Sequence, residues 1–486
     1  MQVLASRWGA QKNTTVVFIN GALIMVLELI GARIITPYVG SSSFVWTAII
    51  GVMLAALAAG YSWGGKNADK TRGKLQLSTV FFISAVLVLL TAVLYTSVMQ
   101  TVTERFGDIR TQSVLGCLLL FAPAAFFMGS VSPYVAKRNT TSIEKAGNSI
   151  GSIYAYGTAG SIVGTFLCGF WLTSYFSNKH ILIGIAVSLF ALSFAEGWKF
   201  KKVPLVANGM LILVLIGGVT GKTLINAEAL YETDTAYSYY SVSDTSIGSD
   251  SVRVIATDKL AWQSGITLKD PQKPAFSYIK RFTEVMASHP APNNVLLLGG
   301  GAYTLPTILA PQFPSTHIDV VEIDPALEKI AKDYFLYTSP TNVQIHNEDA
   351  RVYTENSTKK YDIIYVDVYS SIRPPFHLTT KEFVELLKNR LTTNGIVVAN
   401  VIGSFEETYS QFPASQLATY AHVFEHTGIM PASNSYAASD KQNMILFASK
   451  NPLKNVVPTF EKEFVQLGAG TLLTDSFAPV DKLIGY

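Results

Sequence analysis

Two kinds of hydrophobic pattern divide this chain of 486 residues. Over residues 14–221 apolar positions follow one another with few charges between them. A bilayer span needs about 20 mostly apolar residues. Seven such runs are predicted, roughly at 14–38, 43–63, 78–98, 112–134, 150–175, 180–197 and 203–221. From Ala227 the pattern shortens. "YETDTAYSYYSVSD" and "SVRVIATDKLAWQSG" alternate over short β-rich runs, which predicts a small hairpin sheet. "FSYIKRFTEVMASH" has helical apolar spacing. Strands then alternate with helices: "NVLLLGGGAYTLPTILA", "HIDVVEID" ahead of "PALEKIAKDYF", "VQIHNED", "YDIIYVDVY" and "GIVVANV". Pro325 stands at a first-turn position of its helix. Alternation of this length implies right-handed βαβ units and a parallel sheet. Thr379 and Glu382 have the spacing of a capping box, which predicts where "KEFVELLKNRL" begins. The expected domains are a multi-pass helical bundle over 1–221, a β-hairpin subdomain over 222–268 and an α/β domain over 269–486.

Within the apolar half, small residues recur at helix-packing spacing: Gly60 and Gly64, then Gly157, Gly160 and Gly164. In lipid, such residues let helix backbones approach closely, and packing is the favoured reading. Glu28 and Arg33 interrupt the first run. Five residues of helix do not put them on one face. Each is expected to meet another helix or the headgroups, as a polar path or as a structural pair. The loops on the N-terminal side carry twelve Lys and Arg, from Arg7 and Lys12 through Lys66 and Arg138 to Lys202. The opposite loops carry three, Arg105, Arg110 and Lys179. The positive side faces the cytoplasm, so the N-terminus is expected there. Seven spans would then put the C-terminal domain outside, whereas a run lying re-entrant or along the surface, such as 150–175 or 203–221, would leave it inside, and the side stays open.

Composition agrees with this division. Hydrophobic residues are 49% and charged residues 15%, which excludes an ordinary soluble composition. A net charge of +3 gives no whole-protein argument for nucleic acid, and none is expected as a partner. Cys117 and Cys168 both fall in apolar runs, with neither a disulfide framework nor metal spacing. The first apolar run is long enough to span and others follow it, so a span is expected there and not a cleaved leader.

Candidate chemistry lies at the strand ends of the second half, where such sheets bind ligands. Gly299, Gly300 and Gly301 follow a strand and open a helix. Glycines allow a ligand close to the backbone. Glu322 lies about 20 residues on, where an acid can hold two ribose hydroxyls. A dinucleotide fingerprint would need a glycine at Thr304, which weakens that alternative. Asp349 follows the third strand, where a carboxylate can accept from an adenine amino group or cap the next helix. Asp367 ends the fourth strand, as a catalytic group or a loop cap. Arg373 has the planar fork that grips a carboxylate or another anion, or it is a solvated loop residue. His377 can carry a proton, or it is structural.

The set "WQSG", "FSY", "LLLGGG", "VVEID", "NEDAR", "YDIIYVD" and "PFHLTTKEF" resembles the spermidine synthase family. More closely, it resembles the membrane-fused bacterial branch of that family. The N-terminal half is similar to that branch in "VLELIGARIITPYVGSSSFVWTAIIGVMLAALAAGYSWGGKNADK" and "YAYGTAGSIVGTFLCGF". The resemblance implies a helical transmembrane bundle followed by a Rossmann-like class I S-adenosylmethionine-type transferase domain, in the bacterial inner membrane. It implies transfer of an aminopropyl group from decarboxylated S-adenosylmethionine to an amine, with methylthioadenosine leaving, no metal, and a homodimer. Gly299 and Gly301 would line the cosubstrate, Glu322 would hold the ribose and Asp349 the adenine. Asp367 would be the general base, and Gln263 and Tyr278 would line the site. Three departures stand out. Ala302 replaces an aspartate that holds the cosubstrate's amino group, Ser370 replaces an acid that anchors a diamine, and "KPAFSYIKRF" lacks an acid before its tyrosine. An Arg373 that grips a carboxylate would suit intact S-adenosylmethionine or an acidic acceptor better than a polyamine, and a membrane location suggests a lipid or membrane-bound acceptor. Two further readings stand beside the transferase: a methyltransferase on the same sheet, and a ligand-binding module on a transporter or sensor.

Overall fold

A computed structural model describes residues 2–40, 42–70, 75–140, 142–197, 229–257, 261–289, 291–369 and 373–484. It separates into two compact units, Met1–Ala227 with Asp234–Ala236, and Glu228–Thr233 with Tyr237–Tyr486.

The helical unit runs α1 (Gln2–Val39), α2 (Ser43–Asp69), α3 (Leu77–Arg105), α4 (Ile109–Leu120), α5 (Ala122–Gly129), α6 (Val131–Asn139), α7 (Ala146–Leu167) and α8 (Asn178–Ala195). Five helical stretches are long and apolar enough to cross a bilayer: Gln11–Val39, Ser43–Asp69, Leu77–Arg105, Ala146–Leu172 and Asn178–Ala195. The expected run at 112–134 is not one straight helix. Ile109–Leu120 and Ala122–Asn139 meet at 50°. Pro123 opens the second piece; it has no N–H to give, and its ring clashes with the carbonyl four residues back. Counting the bent pair as one span gives up to six among the described residues, so the expectation of seven is not met there. The seventh predicted run, 203–221, lies outside the described residues.

One end of this bundle is tied by charge. Glu196, just past α8, pairs with Lys12 at 3.1 Å and with Arg138 at 2.6 Å. Lys137 pairs with Asp69. The start of α1 and the ends of α2, α6 and α8 therefore share one end of the bundle. The glycines act through close approach. A Cβ on Gly160 would lie 1.9 Å from the Phe18 carbonyl oxygen, and one on Gly60 would lie 2.1 Å from that of Phe126. Arg33 donates to the Thr173 carbonyl at 3.4 Å. Cys117 and Cys168 are buried free thiols.

In the second unit, β1 (Ala229–Asp234), β2 (Tyr239–Ile247), β3 (Asp250–Thr257) and β4 (Ala261–Thr267) form a four-stranded sheet in sequence order, with β2–β3 and β3–β4 antiparallel. After α9 (Ser277–Ser288) come β5 (Asn294–Leu298), α10 (Thr304–Gln312), β6 (His317–Val321), α11 (Ala326–Tyr334), β7 (Val343–His346), α12 (Ala350–Asn356), β8 (Tyr361–Val366), α13 (Lys381–Arg390) and β9 (Leu391–Gly403). The strands β7-β6-β5-β8-β9 are parallel, as the βαβ pattern predicts. An edge that the pattern did not predict follows. After α14 (Gln411–Val423), β10 (His426–Pro431) and β11 (Gln442–Ser449) extend the sheet to seven strands, with β11 antiparallel to both neighbours. The whole is a Rossmann-like α/β sheet. Its core is apolar on both faces, with Val295 and Leu297 packing on one side and Leu296 and Leu298 on the other.

The start of α13 corrects the capping-box reading. Thr380, not Thr379, is the N-cap, and its Oγ1 accepts from Phe383 N at 3.5 Å. Thr379 closes the preceding turn by donating to the Phe376 carbonyl. Glu382 cannot reach back, because its carboxylate accepts from the backbone N–H of Asp475.

Candidate functional site

Register places the site. Leu298 ends β5 opposite Val321 on one side and Val366 on the other. Gly299, Glu322 and Asp367 each come one residue later, so they emerge together where strand order reverses, which is where open α/β sheets bind ligands. A cavity of about 1240 Å³, its open mouth included, lies there. Gln263, Tyr278, Gly299, Gly300, Gly301, Glu322, Asp349, Asp367 and His377 all line it.

The glycine turn is built for contact with its neighbour. Gly299 has φ +97°, and a Cβ there would lie 2.0 Å from the Asp367 carbonyl oxygen. Its N–H donates to the Val321 carbonyl. Glu322 clasps the rest of the turn. One carboxylate oxygen accepts from Gly300 N at 2.8 Å and Gly301 N at 3.2 Å, and the other from Asp324 N at 3.0 Å. Burial raises its pKa above the usual glutamate value, and these N–H groups offset part of that. Ala302 is fully buried in the core and does not face the cavity. Beside Gly301 a neutral pair stands instead: the Ser264 and Thr304 hydroxyls, 2.9 Å apart.

Asp349 is both a cap and a wall. Its Oδ1 accepts from Arg351 N at 2.8 Å and Val352 N at 3.2 Å, which starts α12. Its Oδ2 lies 3.0 Å from His377 Nε2. Burial works against its charge, but the His377 contact and the two N–H groups outweigh it and lower the pKa. His377 therefore stands with Asp349, and its own carbonyl accepts from Arg351. Arg373 is neither solvated nor aimed into the cavity. It is 4% exposed and pairs with Asp481 at 3.2 Å.

Asp367 sits deeper. Burial raises its pKa above the usual aspartate value, partly offset by the Asn400 amide. Asn400 Nδ2 donates to its Oδ1 at 2.9 Å, and Asn443 Nδ2 donates in turn to Asn400 Oδ1 at 3.0 Å. The antiparallel pairing of β9 and β11 makes these two amides diagonal neighbours. The Tyr278 hydroxyl donates to the Gln263 carbonyl at 3.1 Å. The Gln263 side chain joins Thr257 to the Tyr369 carbonyl. Sequence reasoning passed over Asn400 and Asn443. Asn400 had a signal, since it is a polar residue inside the apolar run "GIVVANV"; Asn443, at the start of its strand, had none. Among the described residues no group of three or more His, Cys, Asp or Glu side chains is arranged to hold a metal.

Residues 282–425 match the spermine/spermidine synthase domain family. A polyamine aminopropyltransferase of Vibrio vulnificus is 34% identical over 161 residues, which are 32% of this chain and 52% of that protein. A probable polyamine aminopropyl transferase of Bifidobacterium longum is 25% identical over 315 residues, covering 59% of this chain and 69% of that one. An N-terminal histidine N-methyltransferase of Emericella nidulans is 30% identical over 195 residues, covering 38% and 34%. Among solved structures, a probable spermidine synthase from Corynebacterium glutamicum aligns at 26% identity with a TM-score of 0.41, covering 50% of this chain and 88% of that one. The chain spans about half the length of the Vibrio relative. Its C-terminal part carries a spermine/spermidine synthase domain, on the Rossmann-like α/β sheet described above.

Proposed function

We propose that the α/β unit transfers an aminopropyl-type group from an S-adenosyl sulfonium donor, decarboxylated S-adenosylmethionine or S-adenosylmethionine itself, to an amine. The observation that carries this reading is Asp367: a half-buried carboxylate whose burial raises its pKa, oriented by Asn400 one strand from a glycine turn clasped by Glu322. Gly299, Gly300 and Gly301 receive the nucleoside, Glu322 takes the ribose hydroxyls with its remaining lone pairs, and Asp349 with His377 forms the base-binding wall. The neutral amine attacks the carbon beside sulfur. The new C–N bond forms as the C–S bond breaks, its electron pair returns to sulfur, and methylthioadenosine leaves. Asp367 accepts the proton that the new ammonium sheds. Its raised pKa makes it a better base than a solvated aspartate. Tyr278 and Gln263 shape the floor beside it.

Detergent-purified full-length protein, incubated with either donor and an amine mixture, should release methylthioadenosine, identified by mass spectrometry. Adenosylhomocysteine instead would establish methyl transfer. That second reading has support in the similarity to the Emericella N-methyltransferase.

The helical unit anchors the enzyme in a bacterial inner membrane in this proposal. The twelve-to-three bias of loop cations supports a cytoplasmic N-terminus, with the tied end at Glu196 on the same side. The side of the α/β unit then turns on whether 203–221 crosses. A reporter fused after Tyr486 reads it directly: an outside signal means that the run spans.

A further inference from the structure

Asp349 and His377 line the cavity, and a closed ring of hydrogen bonds fixes them to each other. The Arg351 N–H donates to Asp349 Oδ1 at 2.8 Å, Arg351 Nη1 donates to the His377 carbonyl at 3.0 Å, and His377 Nε2 lies 3.0 Å from Asp349 Oδ2. Arg351 is not among the lining residues. The ring closes only where the guanidinium is held, since a free arginine side chain samples many rotamers. It is held from 124 residues further along the chain. Asp475 takes both terminal nitrogens, Nη1 on Oδ1 at 2.6 Å and Nη2 on Oδ2 at 2.5 Å. Two parallel bonds of this kind fix orientation as well as distance.

Asp475 is itself fixed. Its Oδ1 accepts from Thr380 Oγ1 at 2.8 Å, and its N–H donates to the Glu382 carboxylate at 3.0 Å. It sits in a tight turn closed by reciprocal backbone bonds between Thr474 and Phe477, at 3.0 and 2.9 Å. The chain leading into the turn is anchored in the core. Leu473 is fully buried, its N–H donates to Thr419 Oγ1 at 3.0 Å, and its carbonyl accepts from Lys381 N at 2.8 Å. The Arg351 and Asp475 side chains are 21% and 43% exposed, so solvent screens the pair and its share of global stability is small. Its consequence is geometric. We infer that residues 470–477 form a strap whose Arg351–Asp475 pair positions the Asp349–His377 wall, so that the C-terminal segment sets nucleoside affinity without touching the ligand. Arg351 and Asp475 are positioning residues in this account, which rests on the nucleoside reading of that wall given above.

The test reads methylthioadenosine affinity by calorimetry on full-length, detergent-purified protein, so it does not depend on turnover. Arg351→Ala and Asp475→Ala should each weaken binding about three- to tenfold, and the double variant should bind no more weakly than the worse single one, because both remove the same contact. Asp475→Asn keeps an acceptor for Thr380, guards against unfolding of the turn, and should weaken binding in the same direction. Arg351→Lys keeps the charge without the fork and should not restore affinity. Glu463→Ala breaks another ion pair of the C-terminal segment, to Arg281 at 2.6 Å, and should leave affinity unchanged. With a donor that is turned over, the loss should appear in KM, with kcat at saturation held within about twofold. Wild-type affinity in Asp475→Asn and Asp475→Ala, additive losses in the double variant, or an equal loss in Glu463→Ala overturns the strap and leaves the nucleoside site standing. Failure of the wild-type chain to bind methylthioadenosine overturns the nucleoside reading and the strap with it.

Discussion

Asp349 and Asp367 line the same cavity, each close after the carboxyl end of a strand, yet their surroundings push them in opposite directions. At the start of α12, Asp349 is met by two helix N–H groups and His377, and its pKa is lowered despite burial. At the end of β8, half-buried Asp367 has one amide donor, Asn400, and burial raises its pKa. The difference is one of partners. A carboxylate engaged by several donors stays ionised and serves as a fixed anchor. One partly stripped of solvent with few donors becomes a proton acceptor. A site that needs both an anchor and a base obtains them from one residue type by changing the neighbours.

The sharpest way to break this contrast is Asp367→Asn. Turnover should fall roughly 10²–10⁴-fold, while donor affinity by calorimetry stays close to wild type. A parallel collapse of donor affinity would make Asp367 an anchor as well. Gly299→Ala comes next, because the added Cβ meets the Asp367 carbonyl and the φ is positive. It should cost more than about 1 kcal/mol in stability, read as a lower melting temperature, and it should disturb the base through its backbone. Asp349→Asn keeps a competent N-cap but removes the charge. Donor affinity should weaken more than kcat. The sign of the pH effect follows from its depressed pKa. Ionised Asp349 stabilises the fold above the ordinary aspartate range, and that contribution is lost as pH falls through its lower, folded value. The variant should lack this part of the acid sensitivity. Asn400→Leu is expected to have a smaller effect at neutral pH than these three. It removes a donor that lowers the Asp367 pKa, so the acid limb of the kcat profile should move to higher pH. Asn443→Leu should move it the same way, by less. A shift to lower pH would contradict the amide relay.

Most of the fold could be read from periodicity. Parallel strands buried on both faces appear as unbroken apolar runs, and each was placed. The hairpin sheet showed in alternation, and five of the predicted apolar runs fall on helices long and apolar enough to cross a bilayer. The bend at Pro123 was not foreseen, because a proline inside an apolar run does not tell whether the helix ends or kinks. The edge strands β10 and β11 were passed over, because an antiparallel pair at a sheet edge carries no βαβ rhythm. The capping box failed by one residue, since Glu382 is drawn to Asp475, 93 residues away.

The candidate site divides in the same way. Gly299–Gly301, Glu322, Asp349 and Asp367 could be located because strand ends and glycine turns are local signals, and local signals survive in one dimension. The absence of acids after Asp367 was also plain in the sequence. What the chain alone left open was the state of each group: whether Asp349 caps or lines, what His377 faces, where Arg373 goes and what supports Asp367. Each answer depends on a partner brought close by folding, such as Asp481 to Arg373 or Asn443 to Asn400. Charge and pKa follow from those distant neighbours and from lost solvent, neither of which a linear sequence contains.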